Sequence, residues 1–135
     1  MLHPRAAVIR CLRLAFHFEG RATRAEFWWF HAGALVALML PFINLPLLLL
    51  LLPPHFSSAV RRLHDRNLSG WYMGGAWLMV LSDAAASVYA GTHSDSAIAL
   101  TAQLLDGACL ILLLALITIL ALPGKPDTNR YGPPP

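Results

Sequence analysis

The run from Ala97 to Leu122, which ends ACLILLLALITILAL, constrains this chain more than any other stretch. That last stretch offers water no polar face, so a soluble helix would need a core far larger than 135 residues can build. The segment LPLLLLLLPP has the same character. Composition agrees: 57% of the residues are hydrophobic and 13% charged, against roughly 45–50% and 25% in soluble domains. The expectation is an all-α integral membrane bundle of about four transmembrane helices with an N-terminal interfacial helix.

Residues 1–22 read as a cytoplasmic interfacial segment. Within AAVIRCLRLAFHF, Arg10, Arg13 and His17 share one helical face, and Ile9, Leu12 and Phe16 share another. Arg10 and Arg13 also interrupt any signal-peptide hydrophobic region, so this segment is expected to be retained. Thr23-Arg24-Ala25-Glu26 is a capping box that starts the first span, about 23–42, followed at once by the aromatic belt Phe27 to Phe30. The second span, about 45–63, contains Pro53-Pro54 and is predicted to kink or break there. One long helix from Thr23 onward is the competitor, made costly by Pro41, Pro46, Pro53 and Pro54. A third span covers about 71–90, long enough for a hydrocarbon layer of about 30 Å. The fourth covers about 97–122 and is ended by Pro123-Gly124, leaving 123–135 as an extended, Pro-rich cytoplasmic tail.

The cations orient the bundle. Arg5, Arg10, Arg13, Arg21 and Arg24 precede span one, Arg61, Arg62 and Arg66 lie between spans two and three, and Lys125 and Arg130 follow span four. Those are all 10 Lys and Arg residues, and the other two loops have none. Under the positive-inside rule both termini are cytoplasmic, and four spans make the count consistent. The net charge of +3 and pI of about 9.3 sit beside apolar spans, which favours anionic lipid headgroups over nucleic acid as partner. Cys11 and Cys109 fall in a basic segment and mid-span, so no disulfide is expected.

Three segments together resemble a known family: F-x-G-R-x-x-R-x-E-F-W-W-F at Phe18–Phe30, V-R-R-L-H-D-x-x-x-S-G-W at Val60–Trp71, and N-R-Y-G at Asn129–Gly132. They are similar to the small bacterial inner-membrane proteins called domain of unknown function 805. The resemblance implies about four spans in a bacterial cytoplasmic membrane and no assigned activity. The connection between the first two motifs is shorter here than usual in the family, leaving spans one and two little room.

All three motifs fall on the expected cytoplasmic side. Orientation requires arginines, but it does not require Glu26, His64, Asp65, Asn129 or Tyr131. The candidate binding or motif cluster is therefore Arg21, Arg24, Glu26, Trp28, Arg61, Arg62, His64, Asp65, Trp71, Asn129, Arg130 and Tyr131. On a helix, Arg61 shares a face with His64 and Asp65, and Arg62 reaches Asp65. Arg24 sits at the positive end of the first span's dipole and needs an answering anion: Glu26, Asp65 or a lipid phosphate.

Four readings stay open. The cluster clamps spans one and two by ion pairs. Alternatively it binds anionic headgroups or docks a membrane-protein partner or a second copy, since arginine forks suit phosphate and tryptophans flank them. A lipid-modifying enzyme would use His64 and Asp65, but neighbouring helical positions diverge, and no Walker loop, GxSxG, HExxH or CxxC is present. No cofactor, metal or catalytic residue is assigned on this ground, and a non-enzyme is favoured. Last, Asp83 and Asp106 lie at matched depth inside spans three and four, where acids by default mark a proton or ion path. The alternative for Asp83 is that span three frays after Leu81. His3, His17, His31, His55 and His93 read as interfacial or packing residues.

Overall fold

A computed structural model describes residues 3–40, 44–93 and 95–135. It contains α1 (Pro4–Arg13), α2 (Arg24–Leu38), α3 (Asn44–Asp65), α4 (Trp71–Thr92) and α5 (Ser96–Ala121), and no strand among the described residues. The all-α expectation holds. The chain divides into two compact units, Met1–Gly70 with Leu120–Pro135, and Trp71–Ile119.

In the first unit α1 begins at Pro4, whose missing N–H costs nothing in a first helical turn. It ends at Arg13, earlier than the expected continuation to Phe18, in a run of turns through Phe16. Ala7 and Cys11 are fully buried where α1 meets its neighbours, and their small side chains permit close approach. Ile9, Leu12 and Phe16 are left exposed.

Thr23 caps α2 as its sequence predicts, its Oγ1 accepting the Glu26 N–H at 3.0 Å. The reciprocal half of the box is replaced: the Glu26 carboxylate turns to arginines instead. The 15 residues of α2 reach about 22 Å at 1.5 Å per residue. The helix ends at Leu38, and residues 41–43, the expected end of span one, lie outside the described residues.

The break expected as one outcome at Pro53-Pro54 is not found on α3. The helix runs unbroken from Asn44 to Asp65 with Pro53 and Pro54 inside it. Adjacent prolines remove two neighbouring intrahelical bonds, and the intact turns on either side carry the helix across. Its C-terminus is a Schellman motif: Leu68 N–H donates to Leu63 O at 2.9 Å and Asn67 N–H to His64 O at 2.9 Å. Asn67 takes the left-handed conformation at φ 62° that this stop requires.

In the second unit α4 runs unbroken past Leu81 to Thr92, so the frayed alternative for Asp83 is not adopted. Among the described residues α5 is the one helix long and apolar enough to cross a membrane.

Candidate functional site

The core of the first unit inverts the usual arrangement. Alongside Phe27, Phe30 and Leu63 it buries Arg21, Glu26, Arg61, Arg62 and Asp65. Buried charges persist only when paired and hydrogen-bonded, and here the three motifs supply one another's partners.

Glu26, in the first turn of α2 where the helix dipole favours an anion, is 0% exposed. It accepts from Arg61 Nη1 at 2.7 Å and pairs with Arg10 Nε at 3.4 Å. Cys11 Sγ lies 3.7 Å from the Glu26 carbonyl oxygen and 3.8 Å from Oε1. Burial first, then the Glu26 carboxylate, push the Cys11 thiol up to about 12, so it is a neutral donor rather than a nucleophile.

Asp65, on the last turn of α3, receives Arg21 through Nε at 2.9 Å and Nη2 at 2.8 Å, and Arg62 through Nη1. Arg21 then spends its remaining donors on the tail: Nη1 donates to Asp127 O at 2.8 Å and Gly132 O at 3.3 Å, and Nη2 to Lys125 O. Arg62 reaches the end of α5, donating from Nε to Leu120 O at 2.9 Å and from Nη2 to Leu122 O. These are carbonyls that a terminating helix leaves without intrahelical donors. Backbone pairing completes the closure, with Ala22 N–H donating to Arg61 O at 3.1 Å and Lys125 N–H to Asp65 O at 3.0 Å.

The third motif forms a small turn of its own. Asn129 and Gly132 exchange backbone hydrogen bonds at 3.1 and 3.0 Å, and Asn129 Oδ1 accepts the Tyr131 N–H at 2.8 Å. Asn129 Nδ2 donates to His64 O at 2.9 Å, and the Tyr131 ring stacks on His64 at 3.7 Å with 6° between planes. His64 Nδ1 faces Gly20 O at 3.2 Å and donates to it, because a carbonyl only accepts. Arg130 lies over Tyr131 and donates to Asn67 O at 3.3 Å. Gly124 is what lets the tail come this close, since a Cβ there would overlap the Asp65 carboxylate.

The family model described as Protein of unknown function (DUF805) matches residues 31–133. The chain belongs to this family. The matched DUF805 segment contains the second and third motifs and begins one residue after Phe30, so the first motif precedes it. No curated protein and no solved structure matches the chain.

Of the residues singled out from sequence, Arg21, Glu26, Arg61, Arg62, His64, Asp65, Asn129, Arg130 and Tyr131 meet in this one knot. Arg24 and Trp28 are exposed on α2, and Arg24 forms no ion pair among the described residues. Glu26 and Asp65, two of the anions suggested for Arg24, are committed to other arginines. Trp71 opens α4 in the second unit and is exposed.

In that second unit Ser87 Oγ donates to Asp106 Oδ1 at 3.1 Å, and Asp83 lies within reach of Asp106 and Cys109. The two thiols are free. Sequence reasoning missed Arg10 and Cys11 as members of the knot. It also missed the pair His31–His55, whose Nε2 and Nδ1 are 2.8 Å apart. His31 Nδ1 donates to Phe27 O at 2.8 Å, so its Nε2 accepts from His55 Nδ1–H.

Proposed function

We propose that this DUF805 chain is a four-span protein of the bacterial cytoplasmic membrane, both termini cytoplasmic, acting as a membrane-embedded scaffold or binding protein. Its cytoplasmic face contacts anionic lipid headgroups. The supporting observation is that Arg21, Arg61 and Arg62 tie segments from all three motifs into a single buried network. That network lies where the positive-inside count assigns every Lys and Arg. The knot fixes the α3 terminus and the tail, which frees the outer cations Arg13 and Arg24 for headgroups beside exposed Ile9, Leu12, Trp28 and Trp29.

The arrangement speaks against acid–base chemistry at the second motif. His64 turns to Gly20 O and Tyr131 while Asp65 turns to Arg21 and Arg62, so the two form no catalytic pair. Reporter fusions test the topology: signals at Arg5, Asn67 and Pro135 are expected to be cytoplasmic, and at Asn44 and His93 periplasmic. A cytoplasmic signal at His93 would remove the four-span arrangement, and one at Asn44 alone would make spans one and two a re-entrant pair.

A second reading rests on the Asp83, Ser87, Asp106 and Cys109 group. A small proton-linked or ion transporter would use the two acids as its intramembrane relay. In proteoliposomes, Asp83→Asn and Asp106→Asn are each expected to abolish any proton or cation flux the wild type conducts. Flux unchanged in both variants sinks this reading.

A further inference from the structure

The knot carries an imbalance that its own members leave uncorrected. Arg10, Arg21, Arg61 and Arg62 gather around two carboxylates, Glu26 and Asp65, which leaves two positive charges in excess. Arg61 is 2% exposed, yet its Nε and Nη2 are buried without a hydrogen-bond partner among the described residues. Unmet charged donors in a low-dielectric setting are costly, and an acceptor-rich anion relieves both terms at once.

Arg61 lines a cleft of about 290 Å³ together with Arg10, Arg21, Gly20 and Tyr131, under the Pro-rich tail, with exposed Glu19 also on its wall. A second cleft, of about 510 Å³, runs along α1 between Ala6, Ile9, Arg13 and the same Arg10 and Leu14 that line the first. A cationic compartment and a mostly apolar one thus share a wall. That is the chemistry of a phosphate attached to a hydrocarbon chain.

We infer that these adjoining clefts form a lipid site, in which Arg10 and Arg61 hold the phosphate of an anionic phospholipid, Arg21 contributes charge from the wall, and one acyl chain lies along Ile9 and Leu14. The inference rests on the headgroup-contact reading above and gives it an address. Arginine suits this place because its planar fork delivers two parallel hydrogen bonds to phosphate oxygens.

The test uses the full chain, detergent-released and delipidated, titrated with dioleoylphosphatidylglycerol, dioleoylphosphatidylcholine and inorganic phosphate and read by native mass spectrometry. The wild type is expected to retain phosphatidylglycerol over phosphatidylcholine. Arg10→Ala weakens that retention about tenfold, the worth of one charge-assisted hydrogen bond, while Arg5→Ala, an equal charge change outside both clefts, leaves it unaltered. Arg61→Lys, which keeps the charge and a donor for Glu26, weakens retention with little change in melting temperature. Ile9→Asn weakens phosphatidylglycerol binding and leaves inorganic phosphate alone.

Equal losses in Arg5→Ala and Arg10→Ala would overturn the site while keeping diffuse headgroup contact. Absence of any wild-type preference for phosphatidylglycerol would remove the headgroup reading itself. Inorganic phosphate binding as tightly as phosphatidylglycerol, with Ile9→Asn silent, would make a free phosphate the occupant and overturn the lipid site.

Discussion

Asp65→Asn is expected to lower the unfolding free energy by about 3–5 kcal/mol, the cost of leaving buried charge without its counterion. Asparagine has nearly the same shape, so no cavity forms and the effect isolates charge. Asp65 is 4% exposed and is the carboxylate that answers Arg21 and Arg62. The carbonyls of Lys125, Asp127, Leu120 and Leu122 still accept hydrogen bonds in the variant. They are neutral, however, and an amide NH2 now competes for the same space. The tail loses its anchor with the charge, so trypsin should cut at Arg130 in the variant under conditions that spare the wild type. Reversible unfolding in mixed micelles measures the loss. Asp127→Asn, exposed and outside the ion pairs, serves as the control, with a change within about 0.5 kcal/mol. A loss below about 1 kcal/mol at Asp65 would mean the pairs behave as solvent-screened surface bridges.

What the sequence discloses and what it withholds follow from the range of each interaction. Thr23 is legible as a cap because its partner is three residues away, and the four later helices begin close to where apolar runs and turn residues put them. Arg61, Arg62 and Asp65 are legible as a polar cluster because one helix carries them. Their true partners are not. Leu120 O and Leu122 O accept from Arg62, and a backbone carbonyl has no residue-type signature. Cys11 and Arg10 join Glu26 only because α1 folds back on α2, a long-range contact that a short amphipathic pattern does not encode. Pro53 and Pro54 allowed a break that does not occur: the leucine run on one side and the packed Ser57–Asp65 stretch on the other carry the helix past them. His31 and His55 looked scattered because their pairing depends on how α2 meets α3.

Glu26→Gln should cost a similar amount, about 3–5 kcal/mol, and here the mechanism can be separated from its rival. Were Glu26 only an acid placed favourably at a helix N-terminus, its charge would contribute about 0.3–1 kcal/mol. The structure gives it a larger task, since Glu26 is the one carboxylate paired with Arg61 among the described residues and Arg61 is 2% exposed. Removing the carboxylate strands that guanidinium in the core, with a surplus of positive charge already around it. The pairing account therefore makes a second demand: Arg61→Met in the Glu26→Gln background should recover most of the loss, because a flexible apolar side chain fills the volume without charge. Arg61→Met alone should be costly, as it leaves Glu26 buried with only the half-exposed Arg10 to answer it. The double-mutant cycle in mixed micelles thus predicts a coupling of about 2–3 kcal/mol between positions 26 and 61. Additive losses would place the value of Glu26 in the helix dipole and dissolve the pair as a structural unit. A coupling of the expected size would make the first motif a segment held by the partner its glutamate finds on α3, with the arginine surplus left over as the part of the knot available to an anion from outside.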